Sequence, residues 1–322
     1  MKDAWKYSIP QSSASRFTRN KREAIMNEKY LEYKELVEKH LLDFLPDIDH
    51  KSITLYESMK YSLTAGGKRL RPVLLLASCE FAGGKVNDAL PYACAMEYIQ
   101  TYSLIHDDLP AMDDDDVRRG VATNHKVFGD AIAILAGDGL LNTAFECMNK
   151  DMFLYFDEPE MLKRRVKASY EIAKGAGCRG MVAGQVADIE AEGKKCSTEM
   201  LEYMCINKTS ALIVASVRAG LMLGGADDKM LENLTNYAEC IGLAFQIEDD
   251  LLDVLGDAME LGKLTGMDAE REKSTYPALY GIEKSKERLE ELYASAEKYI
   301  EPYYDNAEFY HIIIDMLKNR RK

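Results

Sequence analysis

Two runs of aspartate set inside apolar, helix-forming sequence constrain this chain more than any other feature. The first is Asp107-Asp108-Leu109-Pro110-Ala111-Met112-Asp113-Asp114-Asp115-Asp116, with Arg118-Arg119 just after it; the second is Asp249-Asp250-Leu251-Leu252-Asp253. Carboxylates this close repel one another, and burying them costs several kcal/mol per charge unless cations compensate. Either run alone reads equally well as a solvated acidic face. As a pair flanked by Tyr102, Leu104, Ile105, Phe245, Ile247, Leu251 and Leu252, they fall at core-facing helix ends, where uncompensated carboxylates are untenable. A cation must therefore sit between them. Sparse oxygen-only ligands favour Mg²⁺, which keeps waters and bridges carboxylates to phosphates, so the implied ligand is a diphosphate.

The two runs are geometrically unequal. Asp249 and Asp253 are four residues apart and stack on one helical face, with Asp250 alongside. Asp107 and Asp113 are six apart, which puts them about 120° off a common face of a regular helix. Leu109-Pro110 must break or bulge the helix there, because proline removes a donor and clashes with the preceding turn.

A formal charge of -13 argues against nucleic acid, whose phosphates are held by basic stripes; an acidic protein that binds a polyanion needs metal. The seven cysteines are dispersed and never form C-x-x-C, so neither a disulfide framework nor a zinc site is indicated and a reducing, cytoplasmic setting is expected. Apolar runs such as 131–137 and 212–217 fall far short of a bilayer span, so a soluble protein without a membrane span is expected. Residues 1–25 carry six Lys/Arg against Asp3 and Glu23, a charge of +4 that leaves -17 on the remainder. They lack an apolar helical face and a secretory core, and are expected to form a disordered extension ahead of one domain over 26–322.

From Met26 the positions Tyr33, Leu36, Val37, Leu41, Phe44 and Leu45 recur at helical spacing until Pro46, and Leu289, Leu292, Tyr293, Ala296, Tyr299 and Ile300 do so before Pro302. Junctions are expected at Gly66-Gly67, Gly83-Gly84, 157–159, 193–195, Gly224-Gly225 and 256–274. The segments 91–106, 128–148, 180–190 and 231–254 are apolar around much of their circumference, as central helices of a large bundle should be. No strand pattern is sustained, and the expected class is all-α.

The runs Ser103 to Asp113 with Arg118-Arg119-Gly120, and Gly242 to Asp253, resemble the bacterial-type farnesyl diphosphate synthases of the trans-isoprenyl diphosphate synthase family. The likeness extends to Gly66-Gly67-Lys68-Arg69-Leu70-Arg71-Pro72, Gly184-Gln185 with Asp188, Lys208-Thr209, and Gly262-Lys263 with 273–277. It spans about residues 30–320. The resemblance implies an isoprenoid-synthase bundle with a central cavity, a homodimer, and condensation of isopentenyl diphosphate with dimethylallyl and geranyl diphosphate. Three Mg²⁺ ions, replaceable by Mn²⁺, would be held by Asp107, Asp108, Asp113, Asp249, Asp250 and Asp253.

By the same resemblance Lys68, Arg71 and Arg119 hold isopentenyl diphosphate, while Arg118, Lys208 and Lys263 grip the allylic diphosphate. Thr209 and Gln246 are implied to turn oxygens toward the developing allylic cation. Lys68 and Arg71 also make chemical sense alone, since Pro72 is placed to open a helix whose N-terminus favours an anion. Where the family usually has histidine, this chain has Gln100, which donates to phosphate but carries no charge. Tyr102, five residues before Asp107, occupies the position that floors the elongation tunnel in farnesyl-forming relatives. The alternatives are a geranylgeranyl diphosphate synthase and a class I terpene cyclase; the cyclase normally mixes Asn, Ser and Glu in its second metal motif, unlike Asp249, Asp250 and Asp253. A regulatory subunit would carry one degraded aspartate motif, and a merely metal-binding helical protein would turn over no diphosphate.

Overall fold

The structure is a computed structural model and describes residues 28–47, 49–194, 196–255, 274–304 and 306–320. The expected extension at 1–25 and Lys263 lie outside the described residues. The fold is all-α, as expected. In order come α1 (28–40), α2 (Ile53–Thr64), α3 (Leu70–Phe81), α4 (Val86–Asp107), a two-strand hairpin of β1 (Val117–Arg118) and β2 (Val121–Ala122), α5 (Asn124–Phe128), α6 (Asp130–Phe153) and α7 (Pro159–Ala176). The second half holds α8 (Met181–Ala191), α9 (Thr198–Met204), a π turn (Cys205–Ser210), α10 (Ala211–Gly224), α11 (Asp228–Leu255), α12 (Tyr276–Tyr280), α13 (Ile282–Ile300) and α14 (Glu308–Lys318).

Burial follows composition. In α4 the residues from Ala89 to Ile99 are almost all buried, so the helix is enclosed on every side, packed chiefly on α6 and α3. Charged α7 and α13 bury one stripe each and form outer walls against α10 and α11. One hydrophobic core runs from Tyr30 to Leu317. Helix α14, which periodicity did not single out, is tied into it by side-chain bonds: the Tyr237 hydroxyl donates to the Tyr310 carbonyl (2.8 Å), and the Tyr310 hydroxyl reaches Ser78 Oγ on α3 (3.0 Å).

Three departures from the sequence reading have local causes. Helix α4 starts at Val86 rather than at Pro91, one turn earlier, so the proline lies inside it. Helix α3 starts at Leu70, which puts Pro72 within the first turn, where its missing N–H has no intrahelical acceptor in any case. The hairpin escaped notice because its strands are two residues long; positive φ at Arg119 (55°) and Gly120 (81°) makes the tight reversal.

Helix α6 is long and apolar enough to cross a membrane by length and composition, although its uninterrupted apolar runs are short. In the fold it packs on α4, α2 and α5, while Ile134 and Leu135 remain on its outer face.

Helices α3 and α10 approach closely because Gly220 lacks a side chain: a Cβ there would lie 2.2 Å from the Leu75 carbonyl oxygen, an impossible contact with backbone. Gly220→Ala is expected to lower stability by about 1–3 kcal/mol, read as a lower denaturant midpoint at an unchanged m-value.

Candidate active site

A cavity of about 860 Å³ opens among the C-terminal end of α4, the N-terminus of α3, α8, the π turn and α11. Its lining is both charged and apolar: Lys68, Arg71, Arg118, Arg119, Lys208, Asp107 and Asp249 contribute charge, and Tyr102, Met112, Met181, Val182, Val186, Ile189 and Phe245 contribute apolar surface. Groups suited to an anion and groups suited to an apolar chain are therefore present in one space.

The first aspartate run ends a helix instead of bending one. Helix α4 stops at Asp107, before Pro110, and the backbone folds back so that the Asp113 N–H donates to the Asp107 carbonyl (2.8 Å) and Asp114 N–H to the Leu109 carbonyl (3.1 Å). This reversal, with Asp114 at φ 48°, returns Asp113 to the neighbourhood of Asp107. The required distortion is thus a helix terminus and a looped turn. The Asp107 carboxylate accepts a hydrogen bond from Gln185 Nε2 (2.5 Å) on α8.

Asp108 is turned elsewhere. It is buried and accepts from Arg118 through Nε (2.8 Å) and a terminal nitrogen (2.5 Å), and Arg118 also reaches Asp115 (3.1 Å). Asp108 lines a separate small crevice rather than the main cavity. Burial pushes its carboxyl up from 3.8 to about 6, against the lowering effect of Arg118. For Arg118 burial alone would lower the pKa, but the hydrogen bond and charge of Asp108 outweigh it.

In the second run Asp249 faces the cavity and is ion-paired with Arg320, which follows α14 and lies over the Phe245 ring at 4.4 Å. Asp250 and Asp253 are buried. Asp250 accepts from Gln246 Nε2 (2.8 Å) and from the Tyr276 backbone N–H (2.9 Å). Gln246 in turn accepts the Thr209 hydroxyl (2.5 Å). Of the two oxygens expected to meet an allylic cation, only that of Thr209 is on a cavity-lining residue; the Gln246 oxygen is taken up as the acceptor for Thr209.

Lys208 and Thr209 belong to the π turn, a geometry that recurs at functional sites. Gly184 lets α8 lie against it: a Cβ there would be 2.1 Å from the Lys208 backbone nitrogen. The Lys208 ammonium pairs with Asp188 (2.5 Å), and although burial would lower its pKa, Asp107, Asp188 and Asp113 hold it above the ordinary lysine value.

The basic side chains near α3 gather on one buried carboxylate that sequence reasoning missed. Glu97 accepts from Arg69 (2.5 Å) and Arg119 (3.4 Å), and Arg69 also donates to the Leu63 carbonyl (2.6 Å). Burial lowers Arg71 to about 10 and lowers Arg119, so both are cations short of solvation and suited to an anionic partner. Gln100 lines the same wall, with its side-chain oxygen buried and unpartnered. Glu97 was legible as the one acid inside an apolar run, and Arg320 as part of a basic C-terminal tract.

The donor set is compatible with Mg²⁺. Among the described residues no three acidic, His or Cys side chains converge on a single metal point. An ion that takes one or two carboxylates and completes its shell with water and phosphate oxygens needs no such cage. Asp107 and Asp249, on the cavity wall, are the positions best placed to hold it.

The chain belongs to the polyprenyl synthetase family, whose pattern matches residues 52–306. Its relatives include a farnesyl diphosphate synthase of Geobacillus stearothermophilus, 47% identical over 258 residues, covering 80% of this chain and 85% of that one. A geranylgeranyl diphosphate synthase of Cyanophora paradoxa is 46% identical over 291 residues, covering 90% and 94%. A solved putative farnesyl-diphosphate synthase from Marinomonas sp. superposes with a TM-score of 0.77 at 34% identity, covering 91% of this chain and 98% of that one. The protein is thus a trans-prenyltransferase, of a family that uses allylic diphosphates and isopentenyl diphosphate.

Because the folded-state Asp108 carboxyl lies above its ordinary value, the stability it contributes is fully present below about pH 3.8 and is lost as pH rises through about 6. In the metal-free protein its carboxyl carbon should titrate near pH 6 by NMR, and Arg118→Ala, which removes the lowering partner, should move that midpoint upward. A midpoint near 4 in the wild type, or no response to the substitution, would contradict the assigned environment.

Proposed function

We propose that the protein is a farnesyl diphosphate synthase, joining isopentenyl diphosphate to dimethylallyl and then geranyl diphosphate by ionisation, condensation and proton elimination. Tyr102 carries the choice of product. It is buried on the cavity wall more than a helical turn before Asp107, edge-on to His106 with ring centroids 5.7 Å apart. Burial raises its hydroxyl to about 12, so it stays neutral and bulky at working pH. A growing chain whose diphosphate is held at Asp107 meets this ring.

In this reading Lys208 and Arg118 grip the allylic diphosphate with Lys263, and Lys68, Arg71, Arg119 and Gln100 hold isopentenyl diphosphate. Mg²⁺ ions held by Asp107 and Asp249, joined by Asp113 and, once it turns from its buried position, by Asp253, would neutralise charge on the departing diphosphate, with Mn²⁺ able to replace them. Asp108 and Asp250 join that set only if they leave Arg118 and the Gln246–Tyr276 pair. The Thr209 oxygen faces the developing cation, and apolar Met181, Val186 and Phe245 keep water from it. The freed diphosphate can take the eliminated proton, so no histidine is needed. Working as a homodimer, the chain would cover Ile134 and Leu135 on α6; a cytoplasmic setting fits the cysteine usage.

A twenty-carbon product is the second reading. It is favoured by relatives bearing that name at similar identity and by a cavity of about 860 Å³.

Purified enzyme with Mg²⁺, excess isopentenyl diphosphate and geranyl diphosphate should yield mainly a fifteen-carbon product by chromatography, and Tyr102→Ala should shift it to twenty carbons or more. A twenty-carbon product from the wild type would remove the farnesyl reading. Separately, Gln100→His should alter KM for isopentenyl diphosphate several-fold more than KM for the allylic substrate; equal effects would count against a place for Gln100 at the isopentenyl diphosphate end.

A further inference from the structure

The π turn contributes to two cavities. Lys208 and Thr209 line the first, whereas Ile206, Asn207 and Ser210 line a second of about 630 Å³ bounded by α7, α10, α11 and α13. The two share no lining residue. The second is within the ordinary size of a small-molecule site.

Its chemistry is divided like that of an amphiphile. The floor is apolar, made by Val214, Ala215, Leu243 and Leu292. The lining carries Lys174, Arg179, Arg218 and Arg288 against Glu171 and Glu239, with Arg288 paired to Glu291 (3.0 Å) just outside it, in a chain of net charge -13. Arg218 is already committed, bonded to both Glu171 oxygens (2.8 and 3.2 Å) and to Thr235 (2.8 Å). Lys174 makes no ion pair among the described residues, and Arg179 donates only to the Tyr170 hydroxyl (3.1 Å). Two cations without carboxylate partners therefore stand at the mouth of an apolar recess.

We propose that this recess is a second binding site, for an amphiphilic phosphate monoester whose chain lies on Val214, Ala215, Leu243 and Leu292 and whose head pairs with Lys174 and Arg179. Phosphate suits the head because its oxygens accept several charge-assisted bonds at once. The ligand would rest on the outer side of the turn that presents Lys208 and Thr209. The site is independent of which product the first cavity makes, since neither its residues nor its readout involve turnover.

Isothermal titration of octyl phosphate into the full chain tests it. Saturable binding is expected, with the same affinity when the first cavity is filled by Mg²⁺ and isopentenyl diphosphate. Lys174→Glu together with Arg179→Glu should weaken it about tenfold or more, as two lost charge-assisted contacts imply. Both residues are exposed, so the double variant should keep the wild-type Tm; Val214→Trp, which fills the recess, should weaken binding in the same direction. No saturable binding, displacement by isopentenyl diphosphate, or unchanged affinity in the charge-reversed protein would overturn the proposal.

Discussion

Repulsion among aspartates is the constraint to which the rest of the site answers. Carboxylates in a cluster need donors, and the chain supplies most of them from other parts of the sequence. Asp108 is met by Arg118 from the hairpin, Asp107 by Gln185 from α8, Asp249 by Arg320 beyond α14, and Asp250 by Gln246 and the Tyr276 backbone. Were any of these elements displaced, a buried or half-buried charge would lose its compensation, at a penalty larger than the net worth of the pair. The acidic clusters thus constrain the arrangement of the helices around them.

Compensation by protein groups has a consequence for turnover. Arg118 and Lys208 are engaged with Asp108 and Asp188 in the protein described here. In the proposed reading, a diphosphate with its metal ions would offer these cations phosphate oxygens and the aspartates a divalent partner in the same event. The exchange would replace one set of charge-assisted contacts by another, so binding would draw on differences between sets and not on creation of charge pairs from solvent. Close backbone approach makes this geometry possible: Gly184 lets α8 touch the π turn, and Gly220 lets α3 seat against α10.

Much of this was legible in residue order. Helical periodicity, apolar central segments and glycine junctions give the bundle, and the four-residue spacing of Asp249 and Asp253 gives their shared face. The six-residue offset of Asp107 and Asp113 announced a break near Pro110. It did not say that the helix ends at Asp107 and that two backbone bonds fold the run back, because that solution depends on hydrogen bonds made after the helix stops. Glu97 was harder to recognise, since an acid in an apolar run declares a partner without naming it; Arg69 and Arg119 meet it from 28 and 22 residues away.

By itself the sequence determined the class, the chemistry and the two acidic clusters, because local spacing, burial preference and charge are properties of neighbouring residues. Only the tertiary structure decided which aspartates face the cavity and which are consumed by Arg118 or by Gln246 and Tyr276. It also decided that the Gln246 oxygen serves Thr209, and that one π turn presents Lys208 and Thr209 to one cavity and Ile206, Asn207 and Ser210 to another. The physical reason is the same in each case: hydrogen bonds and ion pairs are satisfied between segments distant in the chain, and a residue's role follows from which of its possible partners packing brings within reach.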